Sequence, residues 1–191
     1  MQKLGAFTII FLDGYFAGPH GEIDWFKGEQ DEEQQAFSAE VSKGSATLIF
    51  GRTTYEMMKT FWPTPAAHKS DPVMAGVMNR SEKIVFSRTM KPEKDGPVWK
   101  HVRVIPKLSE ETIRSLKEDG SGSMTILGSG TIVQQISNLG LIDEYQLMVV
   151  PIVLGAGKYL FKDVNRMNLN LVGLREFTKS GRVLLTYRPA A

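Results

Sequence analysis

The chain has 191 residues, 42% hydrophobic and 23% charged, a composition suited to one globular domain with a sizeable core. A net charge of +2 and a pI near 8.8 require no nucleic-acid partner and are mild evidence for an anionic ligand. The absence of cysteine excludes disulfides, thiolate metal sites and cysteine nucleophiles together.

The first apolar run, Ala6–Leu12, reads as a strand buried on both faces. It meets Asp13 too soon for a signal-peptide core or a membrane span, so a cytoplasmic protein without a membrane partner is expected. A glycine-rich loop, Asp13–Gly28, follows. Gln30–Lys43 predicts a helix with Phe37 and Val41 on one face, ended by Gly44. Ala46–Phe50 is a second buried strand, then Thr53–Thr60 has helical character and Phe61–Ser70 reads as a Pro/Trp loop. Asp71-Pro72 is a helix start, an Asp cap with proline at the first helical position.

Lys83–Ser87 and His101–Ile105 read as strands, and Ser109 caps a helix running to about Glu118. Ser123–Leu127 is a strand and Thr131–Asn138 a helix, with Ile132, Ile136 and Leu139 along one face. Glu144–Val150 is a further strand, and Pro151–Gly157 breaks regularity. Asn168–Phe177 and Arg182–Arg188 alternate around Lys179-Ser180-Gly181 as a terminal hairpin. Strands alternating with helices predict a single α/β domain over 1–191, a mostly parallel mixed sheet with helices on both faces and an antiparallel C-terminal hairpin.

Ligands of such sheets bind beyond the carboxyl ends of the strands. Three strand ends carry glycine, hydroxyls or arginine: Gly51-Arg52-Thr53-Thr54, Ser87-Arg88-Thr89 and Gly128-Ser129-Gly130-Thr131. Glycine lets a backbone approach a phosphate, helix N-termini present free N–H groups, and arginine adds a charged fork of donors. The same residues also turn chains and cap helices, but three such ends together favour the ligand reading. A nucleophile elbow at Ser129 fails, because Leu127 and Thr131 stand where glycines are needed. Val133 breaks a dinucleotide GxGxxG, and Ile152 with Tyr159 breaks a Walker loop at Gly157-Lys158. His20, His68 and His101 lack metal-ligand spacing, so no metal is expected.

Five segments together resemble the dihydrofolate reductase-like superfamily, in the branch of the C-terminal reductase domain of the bifunctional riboflavin-biosynthesis deaminase/reductase. They are FLDGYFAGPHGEIDWF (Phe11–Phe26), LIFGRTTYEMM (Leu48–Met58), KIVFSRTM (Lys83–Met90), Ile126–Phe161 and the C-terminal hairpin. The resemblance implies a three-layer fold and an NADPH-dependent reductase acting on a small, heterocyclic or carbonyl-bearing substrate, pterin-like or ribosylamino-pyrimidine-like. A non-catalytic NADP(H)-binding protein or sensor is the alternative. It implies that Gly51, Arg52, Thr53 and Thr54, with Gly128, Ser129, Gly130, Thr131 and Ile132, embrace the cofactor pyrophosphate. Ser87, Arg88 and Thr89 would grip the adenosine ribose phosphate. Ala17 and Gly18 would lie on the nicotinamide side, with Gly14 and Gly18 giving that loop positive φ. A homodimer is the expected assembly.

On the substrate side, dihydrofolate reductases place an acidic residue on the first helix after a loop tryptophan. Here Asp31 is close in spacing and Asp24 adjoins Trp25, so both stand as proton donors. Acidic residues also favour a helix's first turn, and aspartate favours loop turns. Trp25, Phe26, Tyr55 and Trp62 either wall a flat-ring pocket or pack conventionally.

Overall fold

The computed structural model describes residues 1–23, 32–41, 46–91, 98–119 and 122–190. The chain forms two compact units, Met1–Gln2 with Gln30–Thr125, and Lys3–Glu29 with Ile126–Ala191. Strand β6 (Ser123–Leu127) carries the chain from the first into the second.

In the first unit, β3 (Ala46–Gly51), β4 (Lys83–Phe86) and β5 (Val102–Ile105) are parallel neighbours in the order β5-β4-β3. All four residues of β4 are buried, as expected of a central parallel strand. Around them lie α1 (Glu32–Val41), α2 (Arg52–Lys59), α3 (Pro65–Ser70), α4 (Pro72–Arg80) and α5 (Glu110–Asp119). Asp71 caps α4 as its sequence predicts: Oδ1 accepts from the Met74 N–H at 2.9 Å and Oδ2 from the Ser38 hydroxyl at 2.9 Å. Ser109 caps α5 by accepting from the Thr112 N–H at 3.3 Å. The core centres on Ile49, Phe50, Tyr55, Met78, Ile84 and Trp99, each no more than 1% exposed. Burying each large side chain contributes about 2 kcal/mol before its entropy cost.

In the second unit, β1 (Lys3–Phe11) pairs parallel with β7 (Glu144–Val150), which pairs antiparallel with β10 (Arg182–Pro189), itself antiparallel to β9 (Leu169–Phe177). Gly181 closes the β9–β10 turn at φ 67°, a conformation glycine adopts without strain. Helix α6 (Gly130–Asn138) buries Ile132, Val133 and Ile136, and its Ser137 hydroxyl bonds the buried Tyr145 hydroxyl at 2.9 Å. Burial pushes the Tyr145 phenol upwards, against the pull of that bond. A small antiparallel ribbon joins β2 (Tyr15–Ala17) to β8 (Lys158–Tyr159).

Several expectations change. Strand β1 starts at Lys3, alternates buried with half-buried residues, and leaves Leu12 exposed beyond its end. The run is apolar apart from Thr8, but largely alternate positions face a filled core. On α1 the buried residue is Ser38 and Val41 is exposed, so the expected Phe37–Val41 face is not the packed one. The Ser38–Asp71 bond explains why a hydroxyl occupies that place. The expected ends of that helix at Gln30 and Lys43, and its glycine stop at Gly44, lie outside the described residues. The Phe61–Ser70 loop contains α3, capped by Thr64 with Pro65 at its first position. His101 has φ 61°, so β5 begins one residue later than predicted.

Candidate functional site: phosphate-type turns at the strand ends

Within the first unit, parallel pairing sets Gly51 opposite Phe86, so β3 and β4 end side by side. Two predicted turns are thereby brought together. Arg52 Nη1 donates to Thr89 Oγ1 at 2.9 Å, joining the Gly51–Thr54 turn to Ser87–Thr89. Arg52 Nε donates to Glu56 Oε1 at 2.8 Å, one helical turn along. Ser87 Oγ accepts from the Thr89 and Met90 N–H groups at 3.3 and 3.0 Å, which shapes its turn. Arg52, Thr53, Arg88 and Thr89 are exposed. Gly51 caps α2 without a side-chain oxygen, so no side chain competes there for the first-turn amides. Two guanidiniums, hydroxyls and a helix start form a donor set suited to phosphate oxygens.

In the second unit, β6 ends at Leu127 and is followed by Gly128, whose φ of 63° turns the chain into α6. Ser129 is the N-cap, and its carbonyl accepts from the Ile132 and Val133 N–H groups at 2.9 and 3.0 Å. Its side chain makes no cap bond, so the first amides of α6 keep the partial positive character of a helix start. Gly130 has a packing reason: a Cβ there would fall on the Phe16 ring. Ser129, Gly130 and Ile132 are buried, while Thr131 is exposed.

The loop after β1 belongs to the same unit. Gly14 is left-handed at φ 84°. Gly18 is not; Gly21, at φ 94°, carries the second left-handed turn, closed by its N–H donating to the Gly18 carbonyl at 3.0 Å. The expectation for Gly18 is corrected accordingly. Asp13 Oδ2 accepts from the Gly155 N–H at 2.8 Å, while its buried Oδ1 has no partner. Tyr15 stacks on Tyr159 with centroids 4.1 Å apart. The hydrogen bond to Tyr159 is the main influence raising the Tyr15 phenol, and the Asp13 charge adds to it. Ala17 is buried, with its carbonyl against Gly157, where a Cβ would collide with it.

Four predicted residues, Asp24, Trp25, Phe26 and Asp31, lie outside the described residues. Tyr55 is fully buried and stacked on Trp99 with centroids 5.8 Å apart, the conventional packing that was one of its two readings. Trp62 is half-buried and donates its indole N–H to Met58 Sδ at 3.0 Å. Among the described residues no group of three His, Cys, Asp or Glu side chains could hold a metal, and no helix is long and apolar enough to cross a membrane. Sequence reasoning missed the Arg52–Thr89 link, the Asp13–Gly155 anchor and the Tyr15–Tyr159 stack. Each joins residues distant in the chain, and only the Asp13-Gly14 turn signal hinted at one of them.

Known proteins resemble this chain over nearly its whole length. A curated relative, the uncharacterized protein YyaP of Bacillus subtilis (strain 168), is 28% identical over 93% of this chain and 90% of its own length. The structure of a candidate riboflavin biosynthesis protein from Shewanella sp. PV-4 superimposes with a TM-score of 0.77 at 22% identity, covering both chains fully. Dihydrofolate reductase from Enterococcus faecalis, solved with NADP(H), superimposes with a TM-score of 0.62 at 17% identity over 99% of this chain and 97% of that one. The fold is therefore dihydrofolate reductase-like, a mostly parallel mixed sheet with a C-terminal antiparallel hairpin. Matched by the RibD C-terminal domain model over residues 2–182, the chain belongs to that family.

Proposed function

We propose that this protein is an NADPH-dependent reductase acting on a small heterocyclic or carbonyl-bearing substrate, pterin-like or ribosylamino-pyrimidine-like. The observation that carries this reading is the Arg52–Thr89 bond, which draws the two arginine-bearing turns of adjacent parallel strands together in an exposed setting. The donor chemistry fits a nucleotide phosphate. Arg52, Thr53 and Thr54 with Gly51 would hold cofactor phosphate, and Gly128 to Ile132, with the α6 amides and the Thr131 hydroxyl, are the phosphate-type turn of their own unit. Ser87, Arg88 and Thr89 would hold the ribose phosphate, and Ala17 and Gly18 would border the nicotinamide. When bound, the cofactor supplies the hydride. The chain's own part is to orient it, to receive the substrate beside Trp25 and Phe26, and to hold a proton at Asp24, with Asp31 in reserve. Residues 1–191 act as one domain in this reading.

Exposed Leu171, Val172 and Leu174 on β9, the outermost strand beside β10, support a homodimer, with a cytoplasmic location as the accompanying expectation. Light scattering that finds a monomer at every concentration would remove the dimer.

The test of function is titration of NADPH and NADH into the protein and into Arg88→Ala. A charge-assisted hydrogen bond contributes about 1.5–3 kcal/mol, so NADPH should bind roughly ten- to a hundredfold more tightly, and Arg88→Ala should erase that preference. Equal affinity for both cofactors in the parent would sink the reading. Cofactor oxidation across pterins, pyrimidines, quinones and aldehydes then separates a reductase from a protein that only binds.

A further inference from the structure

We propose that the buried Lys83 ammonium is a positioning group for the arginine turn after β3, and that nucleotide affinity at that turn depends on its charge. The coupling to affinity rests on the NADPH reading; the positioning contacts do not.

Lys83 opens β4 and is 0% exposed. Its Nζ donates to the carbonyls of Asn79 at 3.2 Å, Ser81 at 2.7 Å and Lys100 at 3.1 Å, and lies 4.7 Å from the centre of the Trp99 ring. Three N–H groups thus meet three acceptors and an aromatic face. Among the described residues no carboxylate pairs with it, and burial is the influence acting on its titration. A methionine would fill this space without desolvating a charge. A lysine here needs a local reason.

The contacts supply one. Asn79 and Ser81 belong to the end of α4, whereas Lys100 belongs to the segment entering β5. The Lys83 backbone N–H holds the same segment by donating to the His101 carbonyl at 2.7 Å. Trp99 is thereby clamped, and its indole N–H donates to Asn79 Oδ1 at 2.8 Å. Its ring stacks on Tyr55 at 5.8 Å and tilts against Phe50 at 5.9 Å. Phe50 directly precedes Gly51, and Tyr55 is the buried residue of α2. The helix presenting Arg52, Thr53 and Thr54 is therefore seated on an aromatic pair that Lys83 holds.

Loss of the charge would loosen this seat. A neutral amine has two N–H groups for three carbonyls and loses the ring's attraction for a cation. Burial brings this group from 10.5 to about 8, within reach of an ordinary pH series. Among the described residues, the other charged or titratable groups on the elements packed around it are Arg80 on α4, Glu82, Lys100 and His101 beside it, Arg103 on β5, Tyr55 and Lys59 on α2, and His68 on α3. A Lys83→Met comparison separates them from Lys83.

The experiment measures NADP+ affinity by calorimetry, thermal stability, and Trp99 emission in a Trp25→Phe/Trp62→Phe background, from pH 7 to 9.5. The ligand's phosphate monoester ionises near ~6 and stays constant over this range. In the parent, affinity should fall about tenfold as Lys83 loses its proton, and Trp99 emission should shift with the same midpoint. Stability should move the other way. The folded pKa lies below the unfolded one, so the unfolded chain holds more protons between about 8 and 10.5, and stability rises with pH there. Affinity that falls while stability rises is a change local to the turn and not a general loosening of the fold. Lys83→Met should bind weakly at every pH and show no Trp99 transition.

Parent-like affinity in Lys83→Met, or a flat Trp99 emission and flat affinity in the parent, overturns the proposal. Should Lys83→Met fail to fold, the parent profiles alone decide it: opposed trends support it and flat ones reject it. A parent that binds no NADP+ at any pH overturns the NADPH reading and the coupling with it, while the Trp99 titration still tests the positioning contacts.

Discussion

The turn after β3 and the turn after β6 look alike in sequence, glycine followed by hydroxyls at the start of a helix, yet different forces shape them. Around Gly128 and Gly130 the glycines are required by the fold itself. One takes a left-handed φ of 63°, and the other leaves room for the Phe16 ring. At Gly51 the backbone is ordinary, with φ −81°, and the distinctive residues are exposed arginines. Exposed arginines contribute little to stability. A glycine turn can thus be explained by packing, whereas an exposed arginine tied to the neighbouring turn by the Arg52–Thr89 bond, with Arg88 exposed in that same turn, asks for a ligand. The functional information lies more in Arg52 and Arg88 than in the glycines.

Substitutions can break this contrast. The largest effect is expected in the second unit at Gly157, where a Cβ would meet the Ala17 backbone carbonyl, which cannot swing aside. Gly157→Ala should cost about 3 kcal/mol in denaturant unfolding. Gly130→Ala should cost about 2 kcal/mol, because the clash is with a side chain, and a Phe16→Ala background should return part of that. Additive costs in that double-mutant cycle would show that Phe16 is not what requires the glycine.

In the first unit, Asp71→Ala should cost about 1–2 kcal/mol through the α4 cap and the unpaired Ser38 hydroxyl. The smallest change in stability is expected at Arg52→Ala, within about 0.5 kcal/mol, since the Arg52–Glu56 pair is 48% and 44% exposed. The same variant should weaken NADPH binding roughly tenfold or more in a titration. A large stability loss at Arg52 with unchanged nucleotide affinity would reverse the contrast between the turns.

Local signals carried much of this structure. The Asp71-Pro72 start, the Ser109 cap and the Gly181 hairpin rest on chemistry within a few residues, and each appears where the residues place it. Short apolar runs were less informative. Ala6–Leu12 cannot announce which of its faces is covered, and Tyr55 reads equally as a wall or as core until Trp99 is seen against it. The acidic residues flanking Trp25, Asp24 before it and Asp31 after it, stand as proposals and lie outside the described residues.

By itself the amino-acid order determined the α/β class, the order of its main strands and helices apart from α3 and the β2–β8 ribbon, and the three glycine or arginine turns, because these depend on periodicity and short-range sterics. Tertiary structure alone decided that Arg52 meets Thr89, that Phe16 rests on Gly130, and that Lys83 lies under Trp99 instead of in solvent. Those partners are separated by 37, 114 and 16 residues. Their meeting depends on which strands pair and in what register, a choice made by burying the whole core rather than by any local preference.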